Sequence, residues 1–231
     1  MKFLFLVRLG SFLSLTTVIA QEINQFDANG ERHGLWQKNY EAKTQLRYEG
    51  TFEHGKEVGI FKFYCEDCKK TPIAIKEFNA NNAISDVKYY SPDGKLISEG
   101  KMDGKNRIGE WLYYDKKTSK VMTREFYKSG KLDGQQTTFY SNDVITEETM
   151  YIDGLREGEN NYYSPDGALL KTLQYRNDLL VGSALYYDAD GNISIEGGYK
   201  EGKKNGLWKY YKNGKVVSEE MYPKPMNKAK N

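Results

Sequence analysis

Proline, cysteine and histidine are scarce in this chain, and no sign of charge dominates. Five prolines in 231 residues are too few for a flexible linker chain. Two histidines, with no serine in a nucleophile-elbow setting, assemble no catalytic triad. The carboxylates fall at repeated turn positions, as in "YIDGLREG" (151–158), so no spaced pair points to glycoside hydrolysis. No segment sustains a helical period. Lys and Arg number 34 against 32 Asp and Glu, a balance that argues against a general electrostatic hold on nucleic acid or anionic lipid.

The one long apolar region is N-terminal. Lys2 precedes an apolar run to Ala20 that Arg8 interrupts, and Val18-Ile19-Ala20 before Gln21 has the small-residue ending of a secretory cleavage site. It is too short and interrupted to span a membrane comfortably. No cysteine sits at the cleavage point to carry a lipid. Residues 1–20 are therefore expected to be a signal peptide, and the protein to be exported, placing it in the periplasm, the cell envelope or the medium. Loss of Lys2 and Arg8 leaves the mature chain formally neutral. Its charge is uneven, with acids concentrated over residues 141–170 and lysines over 196–231.

What the chain has in abundance is tyrosine (19) and glycine (22), at a mean hydropathy of −0.76. Such a composition suits a thin sheet with aromatic faces better than one thick core. The residues are also periodic. Gly34, Gly59, Gly109, Gly134, Gly158, Gly182 and Gly206 each precede an aromatic run, with Ser85 in the one vacant slot. Tyr40, Tyr64, Tyr90, Tyr114, Tyr140, Tyr163, Tyr187 and Tyr211 close those runs at the same spacing of roughly 24 residues. Each tile reads as a strand of the "GLWKYY" type, a turn such as "SPDG" or "KNG", a second strand, and a closing Gly-x-x-x-Gly turn. Ser85 and the glycine-free "DKKTSK" (115–120) depart from the pattern and are expected to mark bends.

The fold expected is all-β: about eight two-stranded hairpins over residues 21–222, forming an elongated, twisted antiparallel sheet, each hairpin held by its neighbours. The tail, 223–231, carries Pro223, Pro225 and lysines, which suit it to guard an open sheet edge. Within "GLWKYY", alternation places Trp208 and Tyr210 on one face and Leu207, Lys209 and Tyr211 on the other.

The tile "G-x-W-x-Y-Y-x-x-x-G-K", best seen at 109–130 and 202–222, resembles the MORN repeat in its bacterial variant form. The resemblance covers about residues 30–222. It implies partner-protein binding, including the antitoxin-like role attached to YwqK-like members. It supplies no catalytic motif, so no enzyme and no cofactor is expected. Eukaryotic relatives are associated with membranes and scaffolds, but the neutral charge argues against direct lipid binding here.

Candidate residues follow. Cys65 and Cys68 are expected to staple the long turn of the second tile as a disulfide. A zinc site there would need two further ligands, and no metal is expected. His33 and His54 read as solvent-facing turn residues. Trp36, Trp111 and Trp208 read as fillers of a position shared with Phe61, Val87 and Ala184. The column Tyr90, Tyr114, Tyr140, Tyr163, Tyr187 and Tyr211 is the candidate partner-contact face, because phenols combine ring area with a hydrogen-bonding group. A non-catalytic module binding a protein partner is the leading expectation. A cell-wall glycan module using Trp and Tyr platforms is the alternative.

Overall fold

The computed structural model of the chain describes residues 22–67 and 71–224. The expected leader (1–20), Cys68 and most of the tail lie outside the described residues. Those described form eighteen strands in one open antiparallel sheet, with no helix among them.

The first hairpin joins β2 (Arg32–Asn39) to β3 (Leu46–Glu53), with the short β1 (Gln25–Phe26) paired outside it. Next come β4 (Lys56–Phe63) with β5 (Ala74–Phe78), β6 (Ile84–Tyr90) with β7 (Leu96–Asp103), and β8 (Asn106–Tyr114) with β9 (Val121–Lys128). β10 (Lys131–Leu132) and β11 (Gly134–Phe139) are one repeat strand interrupted at Asp133, and β11 pairs with β12 (Ile145–Ile152). The array ends with β13 (Leu155–Tyr163) and β14 (Leu169–Arg176), β15 (Leu179–Tyr187) and β16 (Ile193–Lys200), then β17 (Lys203–Lys212) and β18 (Lys215–Tyr222). Eight hairpins were expected from the period, and eight are present.

The two glycines of the Gly-x-x-x-Gly turn do different things. The first completes a two-residue hairpin turn with positive φ at both centres, as at Asp153 (50°) and Gly154 (90°). This twist matches that of the strands it joins. The Gly154 amide donates to Leu132 O at 2.7 Å, and Gly202 donates to Leu180 O at 2.9 Å, so each turn is tied to the preceding tile. The second glycine is the periodic one, and it makes a bulge. Gly100 pairs with Trp111, but Lys101 pairs with Ile108, leaving Gly109 (φ 61°) and Glu110 as extra residues on β8. All seven periodic glycines have positive φ, where a side chain would be strained.

Ser85 is the informative exception, and it corrects an expectation. β6 runs through Ser85 with unbroken register to both β5 and the end of β7. The bends lie at the bulge glycines, and the tile with Ser85 in that place is the straight one. At "DKKTSK" the Asp115 carboxylate replaces the missing glycine by accepting the amides of Lys117 and Thr118.

The core is centred on a column two residues after the bulge, Trp36, Phe61, Val87, Trp111, Gln136, Asn160, Ala184 and Trp208, with Phe52, Leu173 and Tyr175 buried beside it. Trp111, Asn160 and Ala184 are fully buried and Trp208 is 1% exposed, which is unusual for one sheet without a second layer. Complementarity with the residue eleven positions earlier, on the adjacent strand, accounts for it. A Cβ on Gly100 would stand 2.5 Å from the Trp111 ring, and one on Gly197 2.2 Å from Trp208. Both rings therefore lie flat on a bare backbone. Small Ala184 instead faces large Leu173. Asn160 faces Thr149, which bonds to it, and Gln136 donates to Glu125 at 2.7 Å. The indole N–H of Trp111 donates to Lys101 O at 3.0 Å, beside the register break, and Trp208 does the same to Gly198 O at 3.1 Å.

Candidate functional site

The two faces of the sheet have different chemistry. On the face of Leu207 and Lys209, the closing tyrosines are staples between tiles. Tyr64, Tyr163 and Tyr211 donate to Glu49, Glu148 and Glu196 at 2.9, 2.7 and 2.6 Å, and Tyr114 donates to Glu99. Each acceptor lies fifteen residues earlier, on the preceding hairpin. Glu125, fifteen residues before Tyr140, lies on the opposite face across from Trp111, bonded by Tyr127 and Gln136, and Tyr140 donates to Tyr163 O at 2.9 Å instead. Tyr90 and Tyr187 have Ile75 and Thr172 there and no carboxylate. All six expected contact tyrosines are half-buried. Their rings support this face, and four of their hydroxyls are already engaged.

The groups most open to a partner on this face are others. Lys88–Glu99 (3.2 Å), Lys101–Asp86 (2.7 Å), Arg124–Glu110 (3.0 Å) and Lys209–Glu196 (3.0 Å) form exposed or half-exposed pairs along it. Between them stand exposed Ile60, Phe126, Met150, Leu207 and Met221. A shallow hollow is lined by Asp86, Lys88, Glu99, Lys101, Glu110 and Leu112.

The phenol–carboxylate bonds have a consequence in acid. Tyr114 holds the Glu99 carboxyl below its usual value of 4.5, and Tyr211 does the same for Glu196. A lowered folded-state pKa stabilises the fold above the unfolded value and loses that effect as pH falls through the folded one. Stability is therefore expected to decline below about pH 4.5, and Tyr114→Phe with Tyr211→Phe to flatten the decline. Urea midpoints between neutral pH and pH 3 measure it; equal acid slopes for both proteins would contradict the assignment.

On the opposite face, a cation two residues before the bulge glycine covers the aromatic column in four tiles. The Arg32 guanidinium lies 4.0 Å from the Phe52 ring centre, Arg107 4.6 Å from Trp111, and Arg156 4.3 Å from Tyr175; the Lys204 ammonium is 3.8 Å from Trp208. Sequence reasoning missed this row, because the intervening tiles carry Glu57, Ala83, Leu132 and Leu180 there and hide the period. The cations and the burial of Trp111 and Trp208 close those indoles to a stacked sugar. Trp36 is half-buried, with Phe26 edge-on at 5.1 Å.

At the β1 end, the chain's two histidines meet. His54 occupies the β3–β4 turn as expected, but His33 lies in β2 rather than in a turn. Their ring centres are 4.9 Å apart, and His54 Nδ1 is 2.6 Å from Asp27 Oδ2. This contact lowers the Asp27 pKa and raises that of His54. Cys65 sits just beyond β4, and no described cysteine is free. The expected partner, Cys68, lies outside the described residues.

The MORN repeat variant family matches residues 132–153 and 204–222. Each match begins two residues before a bulge glycine and covers one hairpin, β11–β12 and β17–β18. No curated protein matches the chain.

Proposed function

We propose that this protein is a non-catalytic repeat module, exported by the leader at residues 1–20, that binds an elongated protein partner along the Tyr–Glu–Lys face. The observation that carries the reading is the run of exposed Ile60, Phe126, Met150, Leu207 and Met221 among charged pairs on that one face. Isolated apolar groups framed by polar ones are what a protein interface buries. The charge is uneven along the chain, acidic over 141–170 and lysine-rich after 196, which gives an elongated partner a preferred direction. MORN repeats are generally protein- or lipid-binding modules, and the near balance of 34 basic and 32 acidic residues favours the first of these. An antitoxin-like role is the narrower form, in which the partner is a toxin.

A photo-crosslinking amino acid at Ile60, Met150 or Leu207, in the native host, tests this. The same protein adduct is expected from all three positions and none from Lys171 on the opposite face. No adduct, or equal labelling from both faces, would sink the proposal.

A further inference from the structure

The geometry points to a divalent transition-metal site, for Zn(II) or an ion of similar softness, formed by Asp27, His33 and His54 at the β1 end of the sheet. One ligand atom from each residue lies within 4.8 Å of the other two. Two imidazoles and a carboxylate are a donor set that suits zinc, with a fourth position left for water or a further oxygen. Glu31 is an oxygen donor beside the His54 turn, its carboxyl carbon 3.5 Å from where a Cβ on Gly55 would stand.

Three separate segments build the cluster, and backbone bonds hold each. Pairing of Gln25 with His33 sets the turn after β1 beside β2. Asp27 Oδ1 accepts the amides of Asn29 and Glu31, both at 2.9 Å, which turns Oδ2 toward the histidines. The Gly55 amide donates to Arg32 O at 2.9 Å, fixing the His54 turn against the strand that carries His33. Such outer bonds orient metal ligands before the ion arrives. The equivalent turn position in later tiles holds Ser129, Asp153, Asn177 or Glu201, so histidine appears only where a second histidine faces it. An ion pair between Asp27 and His54 accounts for two of the three groups; a shared cation accounts for all three. Its effect would be to pin β1, the outermost strand, to the first hairpin.

The test is calorimetric titration of the chelator-treated full chain with Zn2+, followed by Co2+ as a spectroscopic probe of geometry. One bound ion per chain and a tetrahedral Co2+ spectrum are expected. Asp27→Asn, His33→Gln and His54→Gln should each weaken binding by at least the roughly 10–100-fold that even outer-shell losses cost. Asp190→Asn, in the exposed β15–β16 turn remote from the cluster, should bind as the parent does. Far-UV circular dichroism checks that each variant keeps its sheet. Absence of saturable binding, or binding that survives the double substitution of His33 and His54, overturns the assignment.

Discussion

Trp111→Ala is expected to cost about 3–5 kcal/mol, and adding Gly100→Leu to restore a large part of it. Trp111 is fully buried, its ring lies flat on Gly100, and its indole N–H serves Lys101 O. Removing it opens a cavity in a sheet with no second layer to collapse inward. Gly100→Leu alone is expected to destabilise by about 1–3 kcal/mol or more, because the new side chain has nowhere to go while the ring is present. The two together recreate the Leu173–Ala184 pair that another tile already uses at the same register. Changes in contact couple non-additively, so the double variant should be more stable than the sum of its parts predicts. Urea unfolding followed by circular dichroism measures all three. In a linear array the loss is local, and Trp111→Ala should also split the transition, with tiles on either side unfolding separately. A cost below about 1 kcal/mol, or strict additivity, would mean that the column is not what binds tile to tile.

Raising the pH should unfold the protein abruptly between about pH 10 and 12. Burial, and then bonds to Glu49, Glu99 and Glu148, push the phenols of Tyr64, Tyr114 and Tyr163 up to about 12. Tyr186 reaches about 12 through burial and its neighbour Tyr199, and burial drives Tyr113 and Tyr162 upward as well. The sign follows from which state holds the proton. Above the ordinary value of 10 the unfolded chain gives up phenolic protons that the fold retains, so stability is intact below that value and falls as pH climbs through the raised one. A phenolate formed at Tyr64, Tyr114 or Tyr163 also faces a carboxylate, and that repulsion favours the unfolded chain, in which the remaining phenols ionise freely. Phenolate absorbance and loss of sheet signal should rise together, in a curve steeper than one proton allows. Gradual ionisation centred near 10 with the sheet intact would contradict it.

The hairpins were legible because their signals are local. Asp-Gly and Asn-Gly turns, strand alternation and an aromatic run at a constant step each need only a few residues, and they gave the tile, the count and the open sheet. The side-chain partnerships were less legible. Asn160 and Gln136 occupy a core column whose other members are apolar, and nothing in "ENNYY" announces that Thr149 and Glu147 will satisfy the amide. The engagement of the tyrosine hydroxyls was hidden because their carboxylates sit fifteen residues away, across a register that the bulge displaces. The periodic glycines were found correctly as markers, but the bend was assigned to the tile that lacks one. "ERHG" resembles turn chemistry, whereas pairing with Gln25 of β1 draws His33 into a strand.

Among the described residues, no side-chain hydrogen bond joins positions more than 27 apart. Every side-chain bond among them closes within a hairpin or with a neighbouring one, as Tyr140 does with Tyr163 O, so a chain emerging amino end first can complete each hairpin's contacts once the next has followed. Maturation can advance at the pace of delivery, without waiting for the carboxyl terminus, and the number of copies becomes a dimension that insertion or deletion can adjust without disturbing the remainder.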